Sequence, residues 1–149
     1  MNVTGTIEAI LRQKTGDIWS VSPDATVYDA VALMADKNVG ALVVLQNEEL
    51  AGIISERDYT RKVMLRGKRS RETAVHEIMS THLTTVEPRE SVDHCLQFMT
   101  DKRVRHLPVV ENGKLLGVIS IGDLVKHVIS VQSATLEQLE SYISGGFSG

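Results

Sequence analysis

Residues Gly52–Tyr59 read GIISERDY, and Gly117–Leu124 read GVISIGDL. Glycine, two aliphatics, serine, two variable positions and aspartate recur at an offset of 65 positions, from Gly52 to Gly117. Outward from these stretches, the same shift aligns Val21–Asp58 with Val86–Asp123 without a gap. Pro23 falls on Pro88, Val27 on Val92, Met34 on Met99, and Asp36-Lys37 on Asp101-Lys102. Scattered identities with no insertion mark two copies of one supersecondary unit. Two copies are too few for a solenoid, so their apolar faces are expected to bury one another.

Each copy has one grammar. A short extended piece ends at proline (SVSP, TTVEP). A helix follows, with Val27, Ala30, Val31 and Met34, or Val92, Cys95, Leu96 and Met99, on one face of a 3.6-residue period. Two aliphatic strands come next, ALVVL then GIIS, or LPVVE then GVIS. The turn between the second pair contains Asn-Gly, a strong hairpin signal. A last helix starts near Asp58 or Asp123. The unit is β-α-β-β-α, an α/β (α+β) class in which helices cover nearly continuous apolar strands. The reading divides the chain into a lead-in over 1–14, copy 1 over 15–72, copy 2 over 73–132 and a helical tail over 133–149. In the tail, Leu136, Leu139, Tyr142 and Ile143 keep helical spacing before a Gly-rich end expected to fray.

Composition narrows the function classes. The 149 residues suit one domain or two half-size units sharing a core, and the 42% hydrophobic and 4% aromatic content makes that core aliphatic. A net charge of −3 argues against wholesale nucleic-acid binding. The basic run from Arg57 to Arg71 is interleaved with no aromatic beyond Tyr59, which argues the same way. The single cysteine, Cys95, forms no internal disulfide and fits a reducing compartment. With no apolar run of signal-peptide or membrane-spanning type, the expectation is a cytoplasmic protein. His76, His82, His94, His106 and His127 show no metal-ligand spacing. No Ser-His-Asp order, carboxylate pair or P-loop is apparent, so no catalytic set or catalytic cofactor is expected.

The combined pattern resembles a tandem pair of cystathionine-β-synthase-type (CBS) domains, through VHEIMS (Val75–Ser80), RVRHLPVVE (Arg103–Glu111) and GVISIGDLV (Gly117–Val125), with NVGALVVLQ and GIISERDYT in the first copy. The resemblance covers roughly Thr15 to Ser130. It implies two units packed through their sheets with pseudo-two-fold symmetry, pairing of two chains into a disc-like homodimer, and adenine nucleotides (AMP, ADP, ATP or NAD) in clefts between repeats. S-adenosyl compounds stay open.

The repeated Ser-x-x-Asp admits two readings. Serine at a helix N-cap with an acidic residue at N3 is a capping box. The same corner suits a ribose-phosphate, because the helix N-terminus favours anions and a carboxylate accepts both ribose hydroxyls. The resemblance implies ribose contacts for Asp58 and Asp123. It sets Ser120, Gly122 and Asp123, with Arg103 for phosphate, opposite Lys14, Gly16, Ile18, Trp19, Val39, Gly40 and Ala41. It sets Ser55 and Asp58 opposite Met79, His82, Leu83, Thr84, Val104, Arg105 and His106. Gly122 lets a ligand approach the backbone, whereas Arg57 at the matching position either narrows its cleft or contacts phosphate. Arg57 and Arg61 share a helix face and suit a di- or triphosphate, or simply solvent. Trp19 suits a base slot, the core or a dimer contact equally. With Arg103 and Gly122, the Asp123 cleft is favoured. The expected function is nucleotide sensing, transmitted through a dimer surface or an effector protein. The alternative is a ligand-independent assembly module that holds a partner enzyme or transporter.

Overall fold

In a computed structural model, residues 5–14 and 18–148 are described, with side chains through residue 143. In chain order the elements are α1 (Ile7–Gln13), β1 (Ser20–Val21), α2 (Val27–Lys37), β2 (Ala41–Gln46), β3 (Glu49–Ser55) and α3 (Glu56–Tyr59). A π turn over Thr60–Met64 prolongs α3, and a 3-10 turn spans Ser70–Glu72. Then come α4 (Val75–Ile78), α5 (Val92–Lys102), β4 (His106–Glu111), β5 (Lys114–Ser120) and α6 (Ile121–Ser148). Copy 1 has the expected β-α-β-β-α order, whereas in copy 2 the leading strand is reduced to a single bridge at Val86, ahead of α5, β4, β5 and α6.

The caps explain why the copies fold alike. Thr26 and Ser91 occupy matching positions; their hydroxyls accept the N–H of Asp29 at 3.1 Å and of His94 at 3.0 Å. Each satisfies an otherwise orphaned donor of the first turn. Both helices end on a left-handed residue, Asn38 and Arg103, each with φ 55°. Glycine or asparagine is usual there, so Arg103 sits in a conformation its side chain disfavours. Both hairpins turn through two residues of positive φ, Asn47-Glu48 and Asn112-Gly113, the two-residue geometry that matches strand twist.

The chain divides into two compact units, one of Met1–Thr15, Glu87–His106 and Ile119–Gly149, the other of Gly16–Val86 and Leu107–Val118. In the second, β1 runs parallel to β2 with Val21 opposite Val44, and β2 runs antiparallel to β3 with Ala41 opposite Ser55. Val86 bridges Val109 in parallel, the same pairing displaced by the repeat offset. Strands β4 and β5 form a two-stranded sheet. Val27, Ala30 and Met34 of α2 join Leu42, Val44, Ile54, Val63, Val75 and Ile78 in one buried cluster. Each large aliphatic there contributes about 1.5–3 kcal/mol by leaving water.

Gly52 has a packing reason. A Cβ there would lie 2.8 Å from both Met79 Sδ and the Ser80 carbonyl, so β3 and the segment after α4 meet only across a glycine. In the first unit, α1 and α5 pack on α6. Ile7, Ile10, Val92, Cys95, Met99 and Leu124 are buried. Cys95 is the small core residue its alignment with Ala30 suggests. Burial, then Glu90, pushes its thiol up to about 11, which leaves it inert. The expected tail is the second half of α6. One unbroken helix of 28 residues runs from the Ser-x-x-Asp junction, its backbone helical through the Gly-rich end to Ser148.

Candidate ligand site

Both Ser-x-x-Asp junctions form capping boxes. Ser55 ends β3 in extended backbone. Its N–H donates to Asp58 Oδ2 at 2.9 Å, and the Asp58 N–H donates to Ser55 Oγ at 3.2 Å. The Ser55 hydroxyl also donates to Asp58 Oδ2 at 3.1 Å. At the second junction, Ser120 N–H reaches Asp123 Oδ2 at 2.9 Å and Asp123 N–H reaches Ser120 Oγ at 3.1 Å. The capping reading therefore holds at both corners. Each helix start is also tied to the strand entry of its own copy: Glu56 N–H donates to the Gly40 carbonyl at 3.0 Å, and Ile121 N–H to that of Arg105 at 2.8 Å.

What differs is the cation. Lys62 Nζ lies 3.0 Å from Asp58 Oδ1 and donates to the Ile78 carbonyl at 2.8 Å. That closes the oxygen the cap leaves over, and the Asp58 side chain is only 12% exposed. Lys14 Nζ lies 2.9 Å from Asp123 Oδ2, the oxygen the cap already uses. Among the described residues nothing engages Asp123 Oδ1, and this side chain is 25% exposed. Burial pushes the Asp123 carboxyl up, but the Ser120 N–H, the Lys14 hydrogen bond and charge, and the Ser120 hydroxyl outweigh it and hold the group below its usual value. His106 belongs to the same unit. Burial, then the charges of Lys14 and Arg105, lower its pKa against the opposing pull of Asp123.

The structure thus gathers Lys14, Arg105, His106, Ser120 and Asp123 in one unit, and Gly40, Ala41, Ser55, Asp58 and Met79 in the other. His106, expected with Asp58, is coupled electrostatically to Asp123 and Lys14, and Arg105 acts on His106. Trp19 is not a core residue: it is 36% exposed, with Lys37 Nζ 4.3 Å from its ring centroid. Ile18, His82, Arg57, Arg61, Arg103, Arg105 and Gly122 are exposed; Val39, Leu83, Thr84 and Val104 are half-buried. Gly16 lies outside the described residues. A Cβ on Gly122 would meet only Ser120 Oγ, at 3.6 Å, so the protein's own packing does not demand glycine there. Lys62 was missed as a partner of Asp58, although its i, i+4 spacing on a helix was a usable signal.

A family model, the CBS domain, matches residues 8–65 and again 75–130. The chain belongs to the CBS-domain family. The mitochondrial CBS domain-containing protein CBSX3 of Arabidopsis thaliana is 44% identical over 135 residues, which cover 87% of this chain. The chain spans 65% of that relative's length. The fold matches a structure of a candidate signal-transduction protein with CBS domains from Burkholderia ambifaria, with TM-score 0.82 and 49% identity over 84% of this chain and 94% of that one. The CBS domain pair of protein MJ0100, in complex with 5′-methylthioadenosine and S-adenosyl-L-methionine, shares the fold at TM-score 0.72 and 21% identity, covering 81% of this chain and 93% of that one. Tandem CBS architecture is therefore established for this chain. Among its described residues no helix is long and apolar enough to cross a membrane.

Proposed function

We propose that this CBS pair is an adenine-nucleotide sensor whose Asp123 corner grips the ribose. The observation that carries the reading is the division of labour on one carboxylate: Oδ2 holds the helix cap, while Oδ1, which no described residue engages, can accept sugar hydroxyls. Beside it stand a lysine and the N-terminus of a long helix, both suited to phosphate. AMP, ADP, ATP and NAD share the ribose-phosphate this corner suits. S-adenosyl compounds share the ribose alone. The adenosine derivatives held by MJ0100 support the ligand class at the level of the fold. The base-slot role of Gly16, Ile18, Trp19, Val39, Gly40 and Ala41, and the phosphate role of Arg103, rest on the family resemblance.

The Asp58 corner is the weaker site, because Lys62 already fills its second oxygen. Ligand contact at Asp123 biases the angle between repeats, by no more than the ligand's differential affinity for the two arrangements. The output passes to a second copy in a disc-like homodimer or to an effector protein. The reading is regulatory, not catalytic, and the lone buried cysteine fits a reducing compartment such as the cytoplasm.

Calorimetry with AMP, ADP, ATP, NAD and S-adenosyl-L-methionine tests the proposal on the wild-type chain and on Asp123→Asn. The amide keeps an acceptor for Ser120 N–H but removes the charge. Tenfold or greater loss of affinity with little change in Tm is expected. Absence of heat and of thermal shift for every ligand at millimolar concentration sinks it.

A further inference from the structure

Helix α6 carries a heptad that no described residue of its own chain covers. Counted from Ile129 as position a, the stripe is Val125 (d), Ile129 (a), Gln132 (d), Leu136 (a), Leu139 (d) and Ile143 (a). The five apolar members are each 46–60% exposed. A 3.5-residue spacing of this kind is the seam of a two-helix pair, interrupted here by one polar residue, Gln132.

We infer that this stripe is a self-association surface, on which α6 of a second copy lies antiparallel. Charge decides the direction. In an antiparallel pair e positions face e positions. The register that seats all six stripe residues sets Ile129 against the partner copy's Leu139, and Val125 against its Ile143. It also brings the e residue Lys126 of each copy to the e residue Glu140 of the other, giving two ion pairs related by the two-fold axis. A parallel pair in register sets g against e instead, Val128 with Ser133 and Thr135 with Glu140, and forms none. Lys126 and Glu140 are both exposed and available. Fewer than three heptads is short for isolated helices, but the first turns of α6 are held by the folded unit, which removes the nucleation cost. The inference is independent of the nucleotide proposal.

Cysteine cross-linking of the full chain tests it. Ile129→Cys and Leu139→Cys, mixed under mild oxidation, are expected to form a mixed disulfide dimer, while neither variant cross-links alone. Cross-linking of each variant with itself overturns the antiparallel arrangement. Absence of any cross-link, or capture of a different protein by the stripe in its place, overturns self-association. In light scattering, Leu136→Glu/Leu139→Glu is expected to raise the dimer dissociation constant on the order of a hundredfold or more with helicity retained. An unchanged dimer rejects the surface. Lys126→Glu and Glu140→Lys each weaken the pair, and the double swap restores it; failure of the restoration counts against the register.

Discussion

Lys14 Nζ rests 2.9 Å from the Asp123 carboxylate, yet the residue that matches Lys14 in the repeat is Met79. The other carboxylate, Asp58, takes its cation from Lys62, whose own counterpart is His127. Both copies neutralise the same corner from non-equivalent positions. Among the described residues, the lysine from the lead-in meets the Asp123 oxygen that the cap already uses, whereas the lysine from the helix meets the other oxygen of Asp58. From that asymmetry the two corners acquire different chemistry.

Replacing Lys14 with Met, the residue of the other copy, is expected to change stability by no more than about 1 kcal/mol, because the lysine is 47% exposed. The pKa of His106 rises, since the Lys14 charge lowers it, and that of Asp123 rises, since Lys14 holds it down. Both shifts are measurable by NMR titration of the variant. An unmoved His106 would show that the lysine does not reach this corner in solution.

Stability should fall as the solution is acidified through the histidine range. His106 has a folded pKa below its ordinary 6.5, so its unfolded form binds protons first. Its contribution is complete above about 6.5 and is lost as pH drops through the lower folded value. Denaturant melts at pH 7.5 and 5.5 are expected to differ more for the wild type than for His106→Gln. Equal differences would assign the effect to other groups.

Arg103 ends α5 with φ 55°, a conformation costly for a side chain with a Cβ. Arg103→Asn, which copies Asn38, is expected to stabilise by about 0.5–1 kcal/mol. If Arg103 holds a ligand phosphate, affinity for ATP drops in the same variant. A more stable protein that binds less tightly separates the two roles; one that is less stable shows that the arginine's contacts outweigh the strain.

Two glycines should answer oppositely to alanine. Gly52→Ala forces a Cβ against the Ser80 carbonyl and is expected to cost about 1–3 kcal/mol. Gly122→Ala meets only Ser120 Oγ in a helical first turn and is expected to stabilise by about 0.4–1 kcal/mol. It should still weaken nucleotide binding if the ligand approaches that backbone. Paired thermal melts and calorimetry decide both.

Local order was legible from the chain because its causes are local. The continuous aliphatic strands, the spacing of Val27, Ala30 and Met34, and the two serine-aspartate boxes all involve residues within a few positions of each other. The duplication then carried each inference from one copy to the other. Tertiary structure alone decided which lysine meets which carboxylate, since Lys14 and Asp123 are joined by no periodicity and only folding brings them within 2.9 Å. It alone placed Trp19 at the surface under Lys37 and set His106 beside Lys14 and Asp123. It alone put Arg103 in a left-handed cap. Identical motifs fixed the same backbone twice; the lysines, which the duplication no longer constrains, reach the two carboxylates from different positions and on different oxygens.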